Sequence, residues 1–194
     1  MFVQSFLFAQ EAVTLLSDAE GGIVYHPGVV TESQAQAWYA ALRPQVPWRS
    51  EDRPMYDRIV AVPRLMASVV LNDPTRPPEI DAALAAVQSV APAPYTRVGL
   101  NLYRDGHDSV ALHNDRLHDL APRQPISILS LGAPRDMLIR PKAGGSAQRV
   151  RLETGSLLVM SHACQRTHEH GIPKSAEPVG PRISLAFRVR CAVG

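Results

Sequence analysis

His113 and Asp115 place an imidazole and a carboxylate two residues apart, and a further imidazole follows about 55 residues later, at His168 or His170. Two imidazoles and one carboxylate form a facial set that holds iron(II) and leaves coordination positions open for oxygen and a co-substrate. In an extended chain residues i and i+2 point to one side, so His113 and Asp115 can approach one ion with little rearrangement. The third ligand must come from elsewhere. His168 and His170 share a side if locally extended, and either can supply it. A three-imidazole zinc site from His162, His168 and His170 uses the same residue types and stays open at this point. His107 and His118 sit in turn-like stretches and His26 precedes Pro27, which suits surface or structural roles.

A second set lies at the end of the chain. With a period of two, Ile183, Leu185, Phe187 and Val189 fall on one face of a strand, and Arg182, Ser184, Ala186, Arg188 and Arg190 on the other. Six residues of strand span about 20 Å, so two guanidinium groups on one face leave room between them for a short diacid. That geometry suits 2-oxoglutarate. A strand decorated with arginine for solvent has the same pattern. Asn101 and Tyr103, which share one face of another strand, favour the first reading, because an amide and a phenol can both hydrogen-bond a carboxylate.

The elements that must carry these groups divide into helices and then strands. Thr31 and Gln34 read as a capping box, and Ala35, Trp38, Tyr39 and Leu42 at helical spacing predict a helix over about 32–43, stopped by Pro44. Pro77 and Pro78 open a second helix with Ile80, Leu84 and Val87 on one stripe, ending before Pro92. From Tyr95 the period changes to two. Strands are expected near 95–103, 110–113, 126–131, 137–140, 150–152, 156–161 and 182–190. Two helices followed by many short strands predict a mainly β, α+β domain: a sandwich or open barrel braced by helices. The stretch from Pro44 to Pro63 reads as a hairpin or lid.

With 194 residues the chain suits one domain. Residues 1–42 hold four acids and no base, leaving 20 bases against 14 acids in the remainder. Eighteen of the bases are arginine, a composition compatible with a polyanion such as nucleic acid, although a solvated surface has the same excess. Cys164 and Cys191 have no metal-ligand spacing, which fits a reducing, cytoplasmic setting. The apolar start lacks the basic n-region of a signal peptide, and no run reaches membrane-spanning length.

The stretch Asn101-Leu-Tyr103 through His113-Asn-Asp115 resembles the AlkB family of iron(II)/2-oxoglutarate dioxygenases, as do Pro125–Gly132, Gly155–Met160, His170-Gly-Ile-Pro173 and Pro181-Arg182 through Arg188. The resemblance covers about residues 92–190. Upstream it is confined to Pro47-Trp48-Arg49 and Pro63-Arg64-Leu65. It implies a double-stranded β-helix (jelly-roll) core, preceded at 1–91 by helices and a nucleotide-recognition lid over 46–70. It also implies iron held by His113, Asp115 and His170, the histidine before Gly-Ile-Pro. Arg182, Asn101 and Tyr103 would grip the distal carboxylate of 2-oxoglutarate, and Arg188 would lie near its metal-bound end.

The implied reaction uses iron(II), 2-oxoglutarate and molecular oxygen to oxidise an N-alkyl group on a base of DNA or RNA. It releases succinate, carbon dioxide and an aldehyde. The alkylated base would be flipped from its stack, and the protein would act as a monomer. Met55 and Tyr56, beside Arg49, Arg53 and Arg58, would supply the lid surface. Two departures bear on the substrate. Ser68, Val69 and Val70 follow Pro63-Arg64-Leu65 where the family often carries an aromatic pair, and Leu117 stands two past the metal aspartate where an acid is common. The alternatives are the same chemistry on a protein side chain or small molecule, and a non-catalytic nucleic-acid-binding module.

Overall fold

The computed structural model describes residues 11–50, 52–55 and 58–191, with side chains described for all of these except 52–55 and 58–61. In chain order the elements are strands β1 Val13–Leu16 and β2 Ile23–His26, helix α1 Glu32–Gln45, strands β3 Asp52–Met55, β4 Arg58–Ala61 and β5 Leu65–Val70, and helix α2 Pro78–Val90. Next come β6 Arg97–Tyr103, β7 Val110–His113, a 3-10 turn Leu117–Asp119, β8 Ile126–Gly132, β9 Arg135–Pro141, β10 Gln148–Leu152 and β11 Leu157–Met160. The short helix α3 Cys164–Thr167 then leads into β12 His168–Ile172, and β13 Arg182–Arg188 closes the fold.

The strands form a seven-stranded sheet in the order β1-β2-β11-β8-β13-β6-β5, a four-stranded sheet in the order β10-β9-β12-β7, and a two-stranded sheet of β3 and β4. Two cores follow from this layering. Ala35, Trp38, Tyr39 and Leu42 of α1 and Ile80, Ala83 and Val87 of α2 pack on Leu100, Leu102, Leu129, Leu131, Ile183, Leu185 and Phe187, covering the outer face of the large sheet. Between the sheets, Tyr103, Ile126, Ile128, Leu158, Met160 and Ala186 meet Met137, Ile139, Val150, Leu152 and Ile172. Central strands β8 and β13 are therefore buried on both faces, which explains their near-continuous apolar run. Of the polar residues that break it, Ser130, Arg182, Ser184 and Arg188 face the inter-sheet space, whereas Ser127 faces the helices and bonds the Tyr95 hydroxyl.

Several boundaries differ from the sequence-based expectation. Helix α1 runs on to Gln45 with Pro44 inside it. Proline removes one N–H near the end of the ladder, and the Val46 amide still reaches Leu42 O at 3.1 Å, so the last turn closes. Thr31 caps the start as expected, its hydroxyl accepting from the Gln34 amide. The 46–70 stretch is not uniform: Asp52–Met55 and Arg58–Ala61 pair as a separate two-stranded sheet, whereas β5 is the edge strand of the large sheet, paired with β6. Strands β1, β2 and β5 are too short or too unevenly patterned to stand out in the sequence.

Candidate metal centre

Strands β7 and β12 are antiparallel neighbours, and His113 faces His170 in register. Their ring centroids are 4.6 Å apart. Gly171 permits this approach, because a Cβ there would lie 2.8 Å from Val110 O and 3.0 Å from Leu112 N on β7. Asp115 follows two residues after β7 on a turn fastened from both sides. Its amide donates to Gln165 Oε1 at 3.0 Å, and the Asn114 side-chain amide donates to His168 O. The ligand atoms of His113, Asp115 and His170 all lie within 4.8 Å of one another, the sole such group of three among the described residues. The alternative set of His162, His168 and His170 is not assembled. His162 is buried apart, and His168 Nδ1 bonds the Thr167 hydroxyl at 2.9 Å.

Hydrogen bonding and charge leave each of the three groups ready to ligate. His113 Nδ1 lies 2.9 Å from Ala111 O, and a carbonyl only accepts, so Nδ1 carries the proton and the Nε2 lone pair is free. Burial, reinforced by the neighbouring His113, pushes the His170 imidazole down to about 4, so it is neutral at neutral pH. Burial opposes ionisation of Asp115. The charge and hydrogen bonds of Arg188 outweigh it and hold the carboxyl below its ordinary range. Arg188 Nε donates to Asp115 Oδ2 at 2.6 Å and Nη2 to Oδ1 at 3.1 Å.

The other predicted groups lie on the inner face of the large sheet, where Tyr103 pairs with Arg182, Asn101 with Ser184 and Arg97 with Arg188. Arg182 is fully buried. Its Nη2 donates to Ser130 Oγ at 3.0 Å, but Nε and Nη1 have no hydrogen-bond partner. Burial pushes this guanidinium down to about 10, leaving it charged at neutral pH. A buried cation with two idle donors fits a ligand carboxylate. Asn101 is partly committed, since its Oδ1 accepts from Arg64 Nε at 2.8 Å while Nδ2 reaches Ser184 Oγ at 3.4 Å.

Other predicted positions lie at the margin. Leu117 opens the half-buried 3-10 turn beyond Asp115. Met55 ends β3, with its side chain outside the description, and Tyr56 lies outside the described residues. Arg64, Ser130 and Gln165 bond Asn101, Arg182 and Asp115, and Arg135 lies over the Tyr103 ring, none of the four having been singled out from sequence. A usable signal existed for two of them: Ser130 interrupts an apolar strand, and Arg135 shares the period-two phase of core residues Met137 and Ile139.

A family model for the 2OG-Fe(II) oxygenase superfamily matches residues 22–188. The human protein named DNA oxidative demethylase ALKBH2 is 34% identical over 110 residues, covering 53% of this chain and 42% of the relative. The mouse protein named alpha-ketoglutarate-dependent dioxygenase alkB homolog 3 is 28% identical over 186 residues, covering 86% of this chain and 65% of that one. The chain belongs to the 2OG-Fe(II) oxygenase superfamily, in its AlkB family. Its cofactors are those of the superfamily: iron(II), 2-oxoglutarate and molecular oxygen. The chain spans 42% to 50% of the length of the mammalian ALKBH2 relatives it matches. The fold also matches a solved structure titled "The structure of OsALKBH1", with a TM-score of 0.58 at 16% identity over 87% of this chain and 96% of that one. This agrees with the expected mainly β jelly-roll. Among the described residues no helix is long and apolar enough to cross a membrane.

Proposed function

We propose that this chain is an iron(II)/2-oxoglutarate-dependent dioxygenase that oxidatively removes alkyl groups from the bases of DNA or RNA. The observation that carries the reading is the conjunction of two sites, one on the four-stranded sheet and one on the inner face of the large sheet. The cluster of His113, Asp115 and His170 is tied through Arg188 to β13, and six residues along that strand Arg182 offers two unpartnered buried donors. In this reading His113 Nε2, an Asp115 oxygen and His170 hold the iron, while Arg182, flanked by Tyr103 and Asn101, binds the distal carboxylate of 2-oxoglutarate. When bound, iron with 2-oxoglutarate and oxygen supplies an oxidant able to hydroxylate a C–H bond, with release of succinate and carbon dioxide. An N-alkyl group hydroxylated in this way collapses to an aldehyde and the restored base.

The protein groups hold and shield. Arg188 keeps Asp115 ionised, and the hydrogen bond from His113 Nδ1 to Ala111 fixes the ring that ligates. The name DNA oxidative demethylase, carried by the ALKBH2 relatives, supports a nucleic-acid substrate. The target base is flipped out to reach the centre, and the pair β3–β4 serves as the lid, with Met55 and Tyr56 as its substrate-facing residues. Residues 1–194 act as one domain, monomeric and intracellular, with Leu117 among the residues facing the substrate.

The test is mass spectrometry of methylated single- and double-stranded oligonucleotides incubated aerobically with the protein, iron(II), 2-oxoglutarate and ascorbate. Loss of the methyl mass with matching succinate is expected. Succinate release without demethylation of any oligonucleotide would refute the substrate assignment.

A further inference from the structure

Arg135 is buried to 2% exposure and lies on the inner face of β9, yet no carboxylate pairs with it among the described residues. Its Nη1 donates to Asp105 O, and its Nη2 donates to Asp108 O and Pro173 O, each at 2.8 Å. Carbonyls solvate a guanidinium without neutralising it. None of the nearby carboxylates is bonded to it: Asp108 takes two side-chain bonds from Arg104, Asp136 is shared by Arg149 and Arg151, and Asp105 accepts from the His107 amide.

The Arg135 Cζ lies 5.5 Å from the centroid of the Tyr103 ring, and the Arg182 Cζ lies 5.3 Å from the same centroid. The two guanidinium carbons are therefore no more than about 11 Å apart in an interior that screens charge poorly. Of these two, Arg182 is the one with buried nitrogens, Nε and Nη1, that lack a partner. Two buried cations thus bear on one ring, Arg182 with Nε and Nη1 unpartnered and Arg135 with both terminal nitrogens bonded to backbone carbonyls.

We propose that Arg135 is a positioning residue of the co-substrate site, a fixed second cation that acts across Tyr103 to make the Arg182 pocket select a second carboxylate. The inference rests on the 2-oxoglutarate reading above and deepens it. Arg135 does not touch the ligand. It holds the loop carrying Asp105 and Asp108 and the residue after β12 around Tyr103, and it adds charge that a distal carboxylate compensates.

The test is calorimetric binding to the Mn(II)-loaded protein of 2-oxoglutarate and of 2-oxobutyrate, which has the same chelating half and no distal carboxylate. Wild type is expected to prefer the diacid strongly. Arg135→Gln should lose about 10-fold in 2-oxoglutarate affinity, with 2-oxobutyrate changed by less than about twofold. Arg135→Lys, which keeps the charge, should retain most of the wild-type preference. Equal weakening of both keto acids in Arg135→Gln, or no change in either, overturns the proposal. If the glutamine variant does not fold, loss of the diacid preference in Arg135→Lys overturns it equally. A wild-type protein that binds neither keto acid fails the 2-oxoglutarate reading itself, a result separable from failure at Arg135.

Discussion

Arg188 grips both oxygens of Asp115, and the two side chains are largely buried at the junction between β13 and the turn after β7. The pair spans 73 residues of chain and ties the large sheet to the strand that carries His113. Removing one partner strands the other in a poorly hydrated place. Arg188→Ala should therefore destabilise the metal-free protein by about 3 kcal/mol. A divalent cation at His113, Asp115 and His170 would replace the lost positive charge, so Mn(II) should raise the melting temperature of the variant more than that of wild type. Thermal unfolding with and without Mn(II) checks this, and an equal Mn(II) shift in both proteins would count against the assigned ligand set.

Gly171→Ala tests how closely the strands must approach. The added methyl would sit 2.8 Å from Val110 O, with the backbone of β7 as the obstacle rather than a flexible side chain. Strand β7 must then retreat from β12 and carry His113 away from His170. Metal affinity should fall by about 10-fold or more, read by Co(II) absorption titration, while far-ultraviolet circular dichroism stays that of a β protein. Unchanged Co(II) affinity would mean that the close approach is not what sets the metal geometry.

The centre was readable in part because its groups obey local periodicity. His113 and Asp115 share a side by alternation, and Arg182 and Arg188 share the inner face of a strand that ended within two residues of expectation. What could not be read was support arriving from distant chain. Gln165 reaches the Asp115 amide across 50 residues, and Arg64 reaches Asn101 across 37. Those contacts depend on which strands become neighbours, a consequence of sheet order rather than of any local pattern. Alternation alone leaves His168 and His170 open, and the family resemblance selects His170, the one the structure brings to the cluster. Both lie on β12, but only His170 stands opposite His113.

Asp108 gives a stability prediction with a definite pH window. Its carboxylate accepts from the Arg104 amide, Nε and Nη2, each at 2.8 Å. Burial disfavours its charge, but the Arg104 hydrogen bonds and charge win and hold the pKa below the ordinary value. A depressed folded-state pKa contributes stability above the unfolded pKa of about 3.9, and that contribution disappears as pH falls through the folded value. Asp108→Asn should thus cost about 1–3 kcal/mol at pH 7, with the gap to wild type steady down to about pH 5 and closing below about pH 4. Urea unfolding of both proteins across that range is the measurement, and a gap that widens on acidification would contradict it.

Arg182 sets ligand binding against stability. Without a diacid the guanidinium is buried with Nε and Nη1 unsatisfied, and Ser130 Oγ accepts from Nη2. A buried charge with idle donors costs free energy that only a ligand recovers, so its replacement by an apolar side chain of similar length relieves the ligand-free protein. Arg182→Met should leave the ligand-free protein as stable as wild type or more stable, by up to about 2 kcal/mol. The same variant should lose the stabilisation that 2-oxoglutarate gives to Mn(II)-loaded wild type, so that the order of melting temperatures reverses when 2-oxoglutarate is added. Melting curves of both proteins with and without 2-oxoglutarate decide the matter. If ligand-free Arg182→Met is clearly less stable than wild type, the guanidinium is a structural group and the carboxylate site must be sought elsewhere on the inner face.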